Sequence, residues 1–506
     1  MTNNQHEADI YQCPLATPVD ATQFTVGDLH ANSMLFLYFL AEKGIVKISD
    51  AHYERLKNIY LKHPASAPDR EPSEQPLASE DIIEFNQIID GLEAGEKPLV
   101  RLIGDEICDR GQNDYFIFKI LKKLKQSGIP YEILLSNHSI EFLIAYEYLI
   151  GNDVTNLGAP NINFSGQAKS LNNMRMLIQE GLITREEIDE LVKDVYKPGL
   201  RLLSYSISGN DITLYSHAGI DLKTIRYMAL KFRQYGVVYQ DGSIEELART
   251  IDAINEVFAE HVRLGMVHQL PVNLTLRPNA KDDPITFALW NREYSELKRN
   301  KQHKGYNVFY VHGHDSQEPT HENIINLDGV LAKGIAANIG DYTGRVFATN
   351  GGPLSGVANE IAEAKLHARH QVILNKIDAI FAELQNRIGK ENQHNNTEAL
   401  DKAGKLITAL QKARDKYEEQ LKNGIPYLKA GFQFKRKCEH AIEDVRTVLE
   451  RDLGWGDFLT NLLKTLMNVV IQVFTSNPNA LFTANRSKAA VALDQMEVDL
   501  NLKHSP

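Results

Sequence analysis

The chain has 506 residues, of which 43% are hydrophobic, enough for a large core and more than one domain. Its 55 Lys and Arg against 66 Asp and Glu leave a formal charge of −11, which argues against a nucleic-acid binder, because that needs clustered positive charge. Three cysteines (Cys13, Cys108 and Cys438) with no Cys-x-x-Cys spacing argue against a disulfide scaffold and fit a reducing compartment.

The N-terminus, Met1 to Gln12, is polar and acidic and lacks a basic-then-apolar export pattern. Residues 1–23 therefore read as an extension ahead of a domain at 24–354. That domain opens with short apolar strands alternating with helical stretches. Phe24–Val26 runs into Gly27-Asp28, with a helical pattern from about Asn32. Leu99–Ile103 runs into Gly104-Asp105, then helix-like Tyr115–Lys125. Tyr131–Leu135 runs into Ser136-Asn137-His138, then helix-like Ile140–Ile150. Strand–loop–helix three times over predicts an α/β fold, with the polar residues just past each strand, where open α/β sheets place their ligands. Between the first two units, prolines at 64, 68, 72 and 76 exclude a helix interior and predict an extended loop over 63–81.

Further on, Leu202–Ser208 and Asp211–Tyr215 flank a Gly209-Asn210 turn and read as a hairpin. Tyr306–Val311 is another apolar strand, ending in His312-Gly313-His314. Near residue 355 the character changes. Leu366, Ile373, Ile377, Ile380, Leu384 and Ile388 recur at heptad-like spacing. After a polar break, so do Leu400, Ala403, Ile407, Leu410, Tyr417 and Leu421. This predicts an antiparallel helical hairpin over 355–425, two helices that bury each other, either packed on a core or projecting as a docking arm. Residues 426–506 read as mostly helical. Their most apolar stretch, Leu459–Phe474, carries Asn461, Lys464, Asn468 and Gln472 and so reads as a buried or amphipathic helix instead of a membrane span.

Taken singly, the chemical pieces are weak. Gly27-Asp28-Leu29-His30 sets a carboxylate and an imidazole two residues apart, on one side of an extended backbone. Gly104-Asp105-Glu106-Ile107-Cys108-Asp109-Arg110-Gly111 reads alone as a charged turn, and Ser136-Asn137-His138-Ser139 as a helix cap. A lone histidine at a strand end, as at His217 or His314, is more often structural. Together, five strand ends supply in order Asp/His, Asp, Asn/His, His and His. These are donors for divalent ions such as Mn, Fe or Zn, and more than four of them points to two metals sharing a carboxylate.

The order GDLH, GDEICDRG, SNHS, SHAG, HGH resembles the signature of the phosphoprotein-phosphatase (PPP) metallophosphatases. With the helical hairpin and helical tail behind it, the chain is similar to the Wip effector phosphatases of Legionella, most closely the WipA type. The resemblance implies a PPP-type β-sandwich flanked by helices and two divalent cations, Mn first with Fe or Zn as alternatives. Asp28 and His30 would hold one cation, Asp105 would bridge, and Asn137, His217 and His314 would hold the other. A hydroxide activated by both metals would attack phosphorus, His138 would protonate the leaving oxygen with Asp109 orienting it, and Arg110 and Arg292 would bind phosphate. His312, two residues before His314, is the alternative ligand.

Three departures stand out: Ala31 for the last glycine of GDxHG, one extra residue between Asp105 and Asp109, and Ser139 for the glutamate of GNHE. The resemblance implies a phosphoprotein substrate, phosphotyrosine by preference, in a host cell reached by type IV export through a C-terminal signal. The hairpin would help to dock it, and neither nucleic acid nor membrane is an expected partner. The competing readings are a phosphoserine/threonine phosphatase, a dinucleoside-polyphosphate hydrolase on the same core, and an inactive scaffold.

Overall fold

The computed structural model describes residues 3–18, 20–68, 70–149, 168–263, 265–267, 270, 279–293, 295, 297–314, 321–329, 342–354, 356–391, 397–422 and 427–472. The chain forms two compact units, Met1–Lys231 with Tyr239–Leu354, and Phe232–Val238 with Ser355–Pro506.

The strands of the first unit are, in chain order, β1 (Asn3–Ala8), β2 (Gln23–Val26), β3 (Val46–Lys47), β4 (Glu93–Ala94), β5 (Leu99–Leu102), β6 (Tyr131–Leu134), β7 (Leu200–Arg201), β8 (Ser204–Ser208), β9 (Asp211–Tyr215), β10 (Gln302–His303), β11 (Tyr306–His312), β12 (Ile324–Asn326) and β13 (Tyr342–Thr349). One sheet has the order β1-β13-β2-β5-β6-β7. The second runs β10-β11-β9-β8, with β12 also on β11, while β3 and β4 form a separate ribbon. Within the first sheet β2, β5 and β6 are parallel neighbours. Within the second, β9, β11 and β12 are parallel neighbours. The two sheets stack through Ile103, Leu134 and Phe347 on one side and Tyr215, Val311 and Ile325 on the other. This is the α/β class that the strand–loop–helix pattern predicts, arranged as the helix-flanked sandwich that the family resemblance implies.

Between the sheets lies Arg101, fully buried on β5. It donates to Thr25 Oγ1 (3.0 Å), Gln23 Oε1 (2.9 Å) and Ser204 Oγ (3.1 Å), pairs with Glu132, and lies 3.7 Å over the Tyr215 ring. A buried guanidinium is tolerable only when paired and hydrogen-bonded throughout, and this one ties β2, β5 and β6 to the second sheet.

The segment before residue 24 is not simply an extension, because β1 pairs antiparallel with β13 at the sheet edge. The proline-bearing segment forms successive turns between the helices Asp50–Tyr60 and Ser79–Gly91, with His63 bridged to Pro76. No helix among the described residues is long and apolar enough to cross a membrane. The C-terminal stretch expected to carry an export signal lies largely outside the described residues.

In the second unit the helices are Gly356–Glu391, Thr397–Lys422, Tyr427–Leu453 and Gly456–Gln472. The first two form at the expected places, but their apolar stripes do not bury only each other. Ile373, Ile377 and Leu384, then Ala403, Leu406 and Leu410, share one core with Phe434, Ile442 and Leu449 of the third helix and Trp455, Leu459 and Leu466 at and within the fourth. The seam of the second helix is also turned. Leu406 and Ala413 are buried, whereas Ile407 and Leu421 are only partly covered. Within the apolar stretch beginning at Leu459, Leu459, Leu462, Leu466 and Met467 are buried in this core, so excising 366–421 would expose the faces of both following helices.

Leu410→Ala should therefore destabilise this unit by about 2–5 kcal/mol, the usual cost of a large-to-small change in a packed core. Urea unfolding followed by the helical circular-dichroism signal measures it. A loss under about 0.5 kcal/mol, typical of surface sites, would mean that the stripe faces solvent.

Candidate active site

Six parallel strands of the sandwich lead to residues that can hold a cation. β2 leads to Asp28 and His30, β5 to Asp105, β6 to Asn137, β9 to His217, β11 to His314 and β12 to Asp328. All seven residues are buried. Backbone bonds lock these loops to one another. Ala31 N donates to Asp105 O (2.9 Å), Gly111 N to His30 O (2.8 Å), Gly313 N to His217 O (2.7 Å) and Leu327 N to His312 O (2.7 Å).

The loops are held in costly conformations. Non-glycine residues with positive φ among the described residues are His30, Ala31, Asp105, Cys108, Lys304 and His314, and all but Lys304 belong to this site. Each costs on the order of 1–3 kcal/mol and persists only where its surroundings over-determine it. Ala31, standing where the family pattern has glycine, adopts the left-handed conformation nonetheless, at φ +59°. Two glycines let donor side chains approach the backbone closely. A Cβ on Gly104 (φ +136°) would lie 2.3 Å from His217 Nδ1, and one on Gly313 would lie 1.8 Å from Asp28 Oδ1.

The donor atoms form two groups around Asp105. In one, His217 Nε2 lies 2.8 Å from Asn137 Oδ1, 3.1 Å from His314 Nδ1 and 3.4 Å from Asp105 Oδ1. His217 Nδ1 donates to Ile103 O (3.1 Å), so its other nitrogen presents a lone pair to this group. Burial also pushes the His217 pKa down, favouring that neutral form. In the other, Asp28, His30 and Asp328 offer atoms that all lie within 4.8 Å of one another, as do His30, Asp105 and Asp109. Asp28 Oδ1, His30 Nε2 and Asp105 Oδ1 are buried and make no hydrogen bond, although each belongs to a group that could accept or donate one. Buried polar atoms that converge without hydrogen-bond partners fit divalent cations, with carboxylate and imidazole donors of the type that Mn, Fe or Zn takes.

Around these donors the arrangement differs from what the motifs imply. His30 Nδ1 is bonded to Asp109 Oδ2 at 2.8 Å, whereas His138 Nε2 lies 3.7 Å from Asp109 Oδ1, beyond hydrogen-bond reach. His138 is held instead by its Nδ1, which donates to Cys108 O (2.8 Å). Asp109 thus orients His30, and the carbonyl of Cys108 orients His138. The physical reason is the extra residue in GDEICDRG. It forms a bulge at Cys108 (φ +57°) that Asp114 stabilises by accepting the Cys108 amide at 3.0 Å. Burial opposes the charge on Asp109, but His138, His30 and Arg110 outweigh it and hold its carboxyl down, to about 2. Burial likewise opposes a charged His138, yet Asp109 and Asp105 win and raise its pKa.

Ser139 also has a part in this arrangement. Ser136 N donates to Ser139 Oγ (2.6 Å) and Ser139 N to Ser136 Oγ (3.0 Å), a reciprocal cap on the helix Asn137–Leu149. A buried carboxylate is present from elsewhere in the loop. Glu106, beside Asp105, accepts from Tyr196 Oη, and burial pushes its pKa up to about 8.

His314, not His312, joins the donors. His312 turns to Arg299, whose Nη1 lies 3.1 Å from His312 Nε2, and the left-handed turn at His314 breaks the regular strand that would have aligned the two. Arg110 is partly exposed, 3.6 Å from Asp109 Oδ1, as a phosphate ligand at a rim would be. Arg292 is exposed, two residues after Trp290, whose ring meets His314 edge-on at 5.9 Å, and among the described residues no hydrogen bond or ion pair ties Arg292 to the donors. Asp328 is a candidate donor that the sequence reading missed. Its signal was available, since Ile324-Ile325-Asn326-Leu327-Asp328 is another apolar strand running into an acid.

The phosphatase domain of the WipA-like proteins matches residues 99–333. Among solved structures, the chain is similar to the phosphatase domain of the Legionella effector WipB, at 34% identity, covering 60% of this chain and 100% of that one, with a TM-score of 0.51. No curated protein matches. A sandwich with buried donors at its strand ends, matched to these domains, defines a phosphatase. The chain belongs to the Wip-like phosphatase family.

Gly104→Ala should lower kcat/KM on an aryl phosphate by about 10²-fold or more, because its methyl group displaces His217, and misplacements near 1 Å cost that much. Steady-state kinetics on the purified variant checks this, and a variant as active as wild type would show that His217 does not need its present position.

Proposed function

We propose that the chain is a PPP-type, metal-dependent phosphoprotein phosphatase that hydrolyses phosphomonoesters, with phosphotyrosine preferred, and that it acts as a bacterial effector on host proteins after export. The observation that supports this reading is the convergence of buried carboxylate, imidazole and amide donors, with Asp105 grouped with His217 and His314 on one side and with His30 on the other. Two cations bound there supply Lewis-acid charge and an activated water for in-line displacement.

The chain's own residues do the rest. Asp28, His30 and Asp105 hold one cation, and Asp105, Asn137, His217 and His314 the other. Asp109 fixes the His30 ring through Nδ1, leaving Nε2 to face the first position. His138, anchored by its Nδ1 to Cys108 O, presents Nε2 and gives its proton to the departing oxygen. Arg110 binds phosphate oxygens with its planar fork, with Arg292 as a second candidate. The intact donor set weighs against an inactive scaffold.

Phosphotyrosine preference and host targets rest on the likeness to Wip effectors. Docking of intact phosphoproteins rests on the exposed charged residues of the helix 397–422, such as Glu398, Asp401 and Lys405. A Mn-supplemented assay on phosphotyrosine and phosphoserine/threonine peptides, intact phosphoproteins and dinucleoside polyphosphates separates these readings. The proposal expects fastest turnover of phosphotyrosine peptides and a lower KM for the intact protein than for its own phosphopeptide. Preference for dinucleotides would overturn it.

Two substitutions probe the roles. Asp105→Asn should lower the occupancy of both metals and abolish nearly all activity. A wild-type metal content in that variant would remove Asp105 from the bridging position. His138→Asn should keep the metals but slow hydrolysis by about 10²–10⁴-fold, less on substrates whose leaving group needs no proton. An equal loss on aryl phosphates of high and low leaving-group pKa would count against His138 as the acid.

A further inference from the structure

The first cation position has one more carboxylate than the family resemblance supplies. Asp328 is fully buried at the end of β12, and its loop is fixed from both sides. Leu327 N donates to His312 O (2.7 Å), and Asp328 N to Asn326 Oδ1 (2.9 Å). Glycine at position 27 lets this loop close over the Asp28 loop, since a Cβ there would lie 1.9 Å from Leu327 O. Asp328 Oδ1 then stands 3.7 Å from His30 Nε2. That is too long for a hydrogen bond, but donors each about 2.0–2.2 Å from one ion sit roughly 3–4 Å apart.

His30 sharpens the argument. Its Nδ1 is engaged by Asp109 at 2.8 Å, while its buried Nε2 makes no hydrogen bond and shares a donor group with Asp28 and Asp328. We propose that Asp328 is a fourth donor to the first cation, beside Asp28, His30 and Asp105. This rests on the metal-dependent reading above and adds a consequence to it. The first position then has three carboxylates and one imidazole, whereas the second has two imidazoles, an amide and the shared carboxylate. Carboxylate-rich sites suit Mn or Mg, and imidazole suits Zn or Fe, so the two positions differ in metal preference. The rival arrangement is an imidazolium at His30 that merely pairs with Asp109 and Asp328 as part of the fold.

The test compares metal-free wild type, Asp328→Asn and Asp328→Glu by calorimetric titration with Mn and by thermal melting. Wild type should bind two Mn ions. Asp328→Asn should weaken one of the two by about 10–100-fold, leave the other unchanged, and lose much of the rise in melting temperature that Mn produces. Without metal, Asp328→Asn should melt no lower than wild type, because it removes a like charge from a buried acidic group. Asp328→Glu, which keeps the donor type, should bind Mn more tightly than Asp328→Asn. Unchanged Mn affinity at both positions in Asp328→Asn overturns the inference. A lower metal-free melting temperature with both affinities intact assigns Asp328 to the structural pair. If wild type binds no Mn, the metal-dependent reading falls as well. If wild type and Asp328→Asn both bind two ions equally, this inference alone falls.

Discussion

Three carboxylates, Asp28, Asp105 and Asp328, are buried together where strands of two stacked sheets end, and their mutual repulsion is the constraint around which the first unit is built. At an effective dielectric near 20, two unit charges about 4 Å apart repel by roughly 4 kcal/mol. The Asp28 carboxyl shows the effect, pushed well up by burial and then by Asp328 and Asp105. No helix or strand propensity favours such a cluster. It persists because the loops carrying it are bonded to one another and to the sheet, and because residues such as His30, Asp105 and His314 are held at positive φ. A site held this tightly before any ligand arrives places its donors without further ordering cost, which is what positioning a phosphoryl group in line requires.

The same constraint explains why the sandwich is organised as it is. Parallel neighbours β2, β5 and β6 in one sheet, and β9, β11 and β12 in the other, bring six C-terminal strand ends to one site. Arg101 and its partners hold the two sheets in register behind that site. The second unit follows a different logic. Its four helices bury one continuous apolar core of their own, and none of the proposed donors comes from it.

Much of the site was legible because each motif obeys one rule, an apolar strand running into a polar turn. That rule found Asp28, His30, Asp105, Asn137, His217 and His314, all of which the fold brings together. It should also have found Asp328, but a single acid after a short strand, with no imidazole beside it, has no distinguishing spacing. Asp109 shows a different limit. Its presence was legible, but its partner was not, because one inserted residue bulges the backbone at Cys108 and turns the carboxylate from His138 to His30. Helical periodicity has a similar limit. It shows that a face is buried and not what covers it, so the stripes of the 356–391 and 397–422 helices suggested a pair where four helices share a core. The strand Asn3–Ala8 has no apolar alternation of its own, and only its pairing with β13 makes it a strand.

The central claim is that two cations sit between these strand ends and share Asp105. A crystal structure of the Mn-loaded protein, with anomalous scattering recorded at the Mn edge, tests it most directly. The account predicts two anomalous peaks about 3.5–4 Å apart, one against Asp28 and His30 Nε2, the other among Asn137, His217 and His314, with Asp105 between them. A single peak, or none within reach of Asp105, would contradict it.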